Sequence, residues 1–102
     1  MNSTPKSLWP LFRDPVEAME FAKQIIAGKQ DTDEQALLEI ALLKTNPKWT
    51  RIAAIYALGF VGSRDGSVPR LRCILQDDDP HVRDHAREAL FTIDGPQLSV
   101  IP

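Results

Sequence analysis

Arg83-Asp84-His85-Ala86-Arg87-Glu88-Ala89-Leu90-Phe91-Thr92-Ile93 repeats, 32 residues on, the pattern of Arg51-Ile52-Ala53-Ala54-Ile55-Tyr56-Ala57-Leu58-Gly59-Phe60-Val61. Both stretches carry an arginine, an alanine three residues later, then Ala-Leu, then a β-branched residue. The segments ahead of them keep the same offset, Leu42-Leu43 falling on Ile74-Leu75. A proline opens each stretch, Pro47 and Pro80, and the first unit carries one extra residue after it. A fixed period of this length signals stacked helical hairpins, because one hairpin cannot bury its apolar face alone.

The punctuation around the repeat is helical throughout. Asp14-Pro15-Val16-Glu17 supplies an N-cap acceptor, a proline at the first helical position and a glutamate at the third. Gly28 is the stop signal for that helix. Thr32-Asp33-Glu34-Gln35 opens a second helix by the same logic, and Asn46-Pro47 opens a third that Gly62 closes. Asp65 and Ser67 are the candidate caps of a fourth, with Pro69 inside its first turn. Asp79-Pro80 opens a fifth and Gly95-Pro96 closes it. No stretch alternates apolar and polar residues over the length of a strand. The expected architecture is all-α: a short α-solenoid of helical hairpins with an N-terminal capping helix. Its parts are an arm over residues 1–13, a repeat domain over 14–95 and a tail over 96–102. Within the domain fall a helix at 14–28, a hairpin at 33–62 and a hairpin at 66–94. Trp9, Leu11 and Phe12 in the arm are too apolar to be left in water.

The run from Val68-Pro69-Arg70-Leu71 through Ile74-Leu75-Gln76-Asp77-Asp78-Asp79-Pro80-His81-Val82-Arg83 to Ala89-Leu90 resembles a HEAT-like repeat, most closely the short variant named after the phycobilisome lyases. The resemblance implies that Asp77 and Arg83 are structural and link one turn to the next. Thr45 stands where a first-unit aspartate would match, so that turn is expected to be irregular. The resemblance also implies two functions. One is a non-catalytic protein-interaction module: an adaptor, chaperone or regulatory subunit. The other is a bilin lyase-like or bilin-handling subunit. A structural fragment without its own ligand is a third reading.

The two second helices differ in kind. In the fifth, Val82, Ala86, Ala89, Leu90 and Ile93 make one apolar stripe, and Asp84, His85, Arg87 and Glu88 face the other way. The third has no charge between Arg51 and Arg64 and carries a second stripe of Ile52, Ile55, Tyr56, Gly59 and Phe60. A helix apolar all round is buried on both sides, which suits the centre of a stack; a polar outer face suits its end. Part of the second stripe is also the candidate docking surface, with Ile52, Tyr56 and Phe60 as contact residues and Trp49 beside the inserted residue as a fourth.

The chemistry of sites is thin. His81 and His85 share a helix face near several carboxylates, but no third ligand stands at a fixed spacing, so both read as solvated helix residues. The lone Cys73, between Leu71 and Ile74, reads as a buried, inert thiol. Asp77-Asp78-Asp79 favours the start of the fifth helix electrostatically. No catalytic residue, cofactor or metal is expected. The chain is 102 residues long with a formal net charge of −2, one domain and no dedicated nucleic-acid binder. One cysteine excludes an intrachain disulfide, and no apolar run approaches the roughly 18 residues of a membrane span. The first residues lack a secretory pattern, so the chain is expected in the cytoplasm, with another protein, or a second copy of itself, as partner.

Overall fold

The computed structural model describes residues 12–29 and 32–95. Among the described residues it is built from α1 (Pro15–Ile26), α2 (Glu34–Leu42), α3 (Lys48–Val61), α4 (Arg64–Ile74) and α5 (Pro80–Asp94), with no strand. Each boundary has a local cause. Asp14 Oδ1 accepts from the N–H of Val16 at 2.7 Å, and Pro15 follows where its missing N–H costs nothing. Asp33 Oδ1 accepts from the N–H of Ala36 at 2.8 Å, and Asp79 Oδ1 from that of His81 at 2.8 Å. Gly95 ends α5 at φ +77°, a backbone setting that side chains with a Cβ rarely adopt.

Two starts depart from expectation. α4 begins at Arg64, and its cap is Ser63, whose hydroxyl accepts from the N–H of Gly66 at 3.0 Å. Neither Asp65 nor Ser67 caps it. The hydroxyl of Ser67 is buried and donates to Glu34 instead. Pro69 therefore lies in the second turn of α4, not the first. α3 has no side-chain cap at all. Asn46 turns inward, its Nδ2 donating to the carbonyl of Ile40 at 3.1 Å, and so closes the turn that lacks an aspartate.

The helices form two layers. α3 packs against α1 on one side and α5 on the other, and α2 and α4 lie behind them. The centre of the stack is therefore α3, where Ile52, Ala53, Ala54, Ile55, Ala57 and Leu58 are all fully buried. In α5, Val82, Ala86, Ala89 and Leu90 are buried while Asp84, Arg87 and Glu88 stay in water, as the single stripe requires. Burying each Leu or Ile side chain contributes about 1.5–3 kcal/mol, so the central helix dominates the core.

Cys73 is exposed, contrary to expectation. α4 buries Ser67, Val68, Leu71 and Ile74. Position 73 is two residues past Leu71, about 200° around the helix, and so falls on the solvent side. Phe12, the last apolar residue of the arm, is buried; its N–H donates to Thr50 Oγ1 at 2.8 Å and its ring lies 5.3 Å from that of Phe21. Trp9, Leu11 and the tail 96–102 lie outside the described residues.

Ionic contacts join the hairpins. Arg51, at the start of α3, donates to Asp77 Oδ1 at 2.8 Å and to the carbonyl of Ala41 at 2.9 Å. The pair is nearly dry, with side-chain exposures of 7% and 5%. Burial would raise the Asp77 carboxyl, but the Arg51 guanidinium and the N–H of Asp79 outweigh it and hold it below its ordinary value. Arg83 holds the same loop differently, donating to the carbonyls of Asp77 at 2.8 Å and Asp78 at 3.1 Å. A second tie runs from Glu34 at the start of α2, whose carboxylate accepts from the N–H of Ser63 at 2.8 Å and from the hydroxyls of Ser63 and Ser67. The Ser67 bond does most to hold the Glu34 carboxyl below its ordinary value; burial opposes it and the Ser63 bonds reinforce it.

Candidate partner-binding groove

A groove with a largely apolar lining lies where the C-terminal halves of α3 and α5 run side by side. Its floor is a close helix contact. A Cβ built on Gly59 would lie 3.1 Å from Ala89 Cα, so glycine is what permits this approach. One wall is Tyr56 and Phe60, one turn apart on α3, their rings 5.4 Å apart and inclined at 57°. The other is α5, through Glu88 and Thr92 with Phe91 on its far flank. Between the walls lies an open groove of about 500 Å³.

Its aromatics are poorly covered. Phe60 is 54% exposed and Phe91 58%. Scattered exposed apolar residues are ordinary, but two phenylalanines and a half-buried tyrosine lining one groove are a patch. Charge enters through Glu88 on the α5 wall and through Arg87, which pairs with Asp84 at 2.7 Å. Nearby, His85 is half-buried, not solvated as expected, and its buried Nδ1 has no hydrogen-bond partner among the described residues. Asp94 at the end of α5 pairs with Arg64 of α4 at 2.9 Å, which anchors that end of the groove to the second layer.

Of the four expected contact residues, Tyr56 and Phe60 line the groove. Ile52 does not: it is fully buried, one turn further into the stack, because α5 covers that part of α3. Trp49 is half-buried at the opposite end of α3, stacked on His81 with ring centroids 5.9 Å apart and Lys48 Nζ 5.3 Å from its ring. His81 also takes part in a 3.0 Å hydrogen bond with Lys48 Nζ. Phe91 is the residue that sequence reasoning missed. It aligns with Gly59 across the repeat, and that alignment is the signal that could have found it. The position that faces the next helix is pared down to glycine on α3 and carries an aromatic ring on α5.

Among the described residues no group of three or more His, Cys, Asp or Glu is placed to hold a metal ion, and no helix is long and apolar enough to cross a membrane. The groove lining combines the aromatic rings of Tyr56, Phe60 and Phe91 with the polar side chains of His85, Arg87, Glu88 and Thr92. A family model described as HEAT repeats matches residues 22–100, well over half of the chain. No curated protein and no solved structure matches the chain.

Proposed function

Because this chain belongs to the HEAT-repeat family, we propose that it is a non-catalytic protein-binding module that receives its partner in the groove between α3 and α5. Stacked-hairpin proteins use the surface formed by successive helices of one layer to bind other proteins. The observation that carries the reading is the exposure of Phe60 and Phe91 on either side of a groove floored by Gly59. Aromatic anchors in a concave apolar setting are the usual centres of protein interfaces. Roles as an adaptor, chaperone or regulatory subunit all rest on such a contact.

The test is affinity capture from the source cell with the 102-residue chain. A partner retained by the wild type should be lost by Phe60→Ala and by Phe91→Ala, and kept by Trp49→Ala. Equal retention by all four proteins would move the binding surface elsewhere.

A further inference from the structure

We infer that the groove recognises a cation, and that its occupant is an arginine carried on an apolar segment of the partner protein: the guanidinium lies against the Tyr56 and Phe60 rings and pairs with the Glu88 carboxylate. The inference rests on the groove being the docking surface, and it adds the chemistry of what docks there.

Three observations lead to it. First, the groove sets a carboxylate opposite aromatic rings. α3 and α5 run in the same direction, since Trp49 meets His81 at one end and Gly59 meets Ala89 at the other. At that register Glu88 stands level with the turn that joins Tyr56 to Phe60, and all three line the groove. An aromatic face is electron-rich and attracts a cation held within about 6 Å of the ring centre.

Second, that negative character is not answered from within. Arg87, the other charged residue of the lining, is paired with Asp84 at 2.7 Å. Arg64, at the end of the groove, is paired with Asp94 at 2.9 Å. Among the described residues Glu88 is exposed and has no ion-pair partner, and no cation stands over Tyr56 or Phe60. Charge complementarity therefore asks for a positive group, and the exposed Phe60 and Phe91 rings ask for apolar neighbours beside it.

Third, the molecule builds this arrangement once already and fills it from its own chain. At the opposite end of α3, Lys48 Nζ lies 5.3 Å from the centre of the Trp49 ring and 3.7 Å from the carboxylate of Asp79, the cap of α5. A ring from α3, a carboxylate from the start of α5 and a cation complete that contact. The groove repeats the ring and the carboxylate further along the same two helices. Arginine suits it better than lysine, because a planar, weakly hydrated guanidinium stacks on a ring while its N–H groups bond a carboxylate.

The experiment is an NMR titration of the labelled 102-residue chain with two capped pentapeptides. Each has two leucines on either side of a central residue, which is arginine in one and its uncharged isostere citrulline in the other. The expected result is saturable shifts at Tyr56, Phe60 and Glu88, with the citrulline peptide bound about 3- to 30-fold more weakly, the combined effect of one exposed cation–π contact and one exposed ion pair. Glu88→Gln should weaken the arginine peptide by up to about 5-fold and leave the citrulline peptide unchanged. Phe60→Leu, which keeps the wall apolar and removes the ring, should cut the arginine preference about 2- to 5-fold. Equal affinity for the two peptides overturns the inference, and so does an arginine preference that survives both substitutions intact. Shifts confined to Asp77, Asp78 and Asp79, or no shifts at all, overturn it as well. So do nuclear Overhauser contacts to the Tyr56 and Phe60 rings from another segment of the chain or from a second copy before peptide is added, since the groove would already have its occupant. The docking surface is judged separately: a partner lost by Phe60→Ala and Phe91→Ala but kept by Trp49→Ala preserves the groove even where arginine recognition fails.

Discussion

α3 and α5 are sister helices from one repeated pattern, yet they are built for opposite surroundings. Where α3 carries Tyr56 and Phe60, α5 carries Glu88 and Thr92. Where α3 begins with a dry Arg51 bonded to a carboxylate of the next hairpin, α5 begins with Arg83, half-buried and bonded to carbonyls of its own loop. The difference teaches that place in the stack, not the repeat pattern, decides what each position must be. An inner helix has neighbours on every side and is apolar all round; an end helix keeps a wet face.

The arginines offer the sharpest way to break the comparison. Arg51→Ala strands the Asp77 carboxylate in a buried site, a loss of about 3–5 kcal/mol. Arg83→Ala removes hydrogen bonds to carbonyls in a half-buried place and should cost about 0.5–1.5 kcal/mol. Paired urea melts decide it, and equal losses would mean that the two arginines do the same job. On the apolar side of α3, Ile55→Ala should cost about 2–5 kcal/mol. Phe60→Ala on the groove side should cost far less than the roughly 3–5 kcal/mol typical of a buried aromatic, because its ring is over half exposed. If Phe60→Ala melts as early as Ile55→Ala, the groove wall belongs to the core.

The Glu34 tie gives an intermediate effect. Glu34→Ala leaves the buried Ser67 hydroxyl without its acceptor and should cost about 1–3 kcal/mol. Its sign with pH follows from the lowered carboxyls of Glu34 and Asp77. The unfolded chain takes up protons first as pH falls, so their stabilisation is full above the ordinary carboxylate range of about pH 4–5. It is lost as pH drops through their lowered folded values. Glu34→Ala should flatten that acid limb of a stability–pH curve, and an unchanged limb would remove Glu34 from the account.

The smallest effect sharpens the α3–α5 contact itself. Gly59→Ala gains up to about 1 kcal/mol of helix propensity and loses about 1–3 kcal/mol to crowding against the Ala89 backbone, which cannot swing aside. A modest net loss is expected in a thermal melt. A gain in stability would show that the two helices separate freely.

How much of this was legible in the sequence follows from distance along the chain. Asp14, Asp33 and Asp79 act within three residues of themselves, and local reading finds such caps. The HEAT-like architecture was legible for a similar reason, since the period, the prolines and the glycines are all written in order. Ser67 was misread as a cap because its acceptor, Glu34, lies in another hairpin. Cys73 was misread because its neighbours Leu71 and Ile74 are apolar, while its own helical face is the wet one. The groove was half legible. The excess of apolar side chains on α3 is plain in the sequence, but how α5 divides that excess, sealing Ile52 and sparing Phe60, depends on where two helices meet.

The central place of α3 also bears on how the fold comes apart. A long array can lose its end repeats one at a time, because each contacts only its neighbours. Here every hairpin leans on the same helix, and Arg51 is bound to the loop of the next one. Peeling off α4 and α5 would strip Ile52 and Ile55 and leave an arginine without its counter-charge. The outer helices among the described residues therefore have little separate stability to lose, and these five helices are expected to melt as one cooperative unit rather than one hairpin at a time.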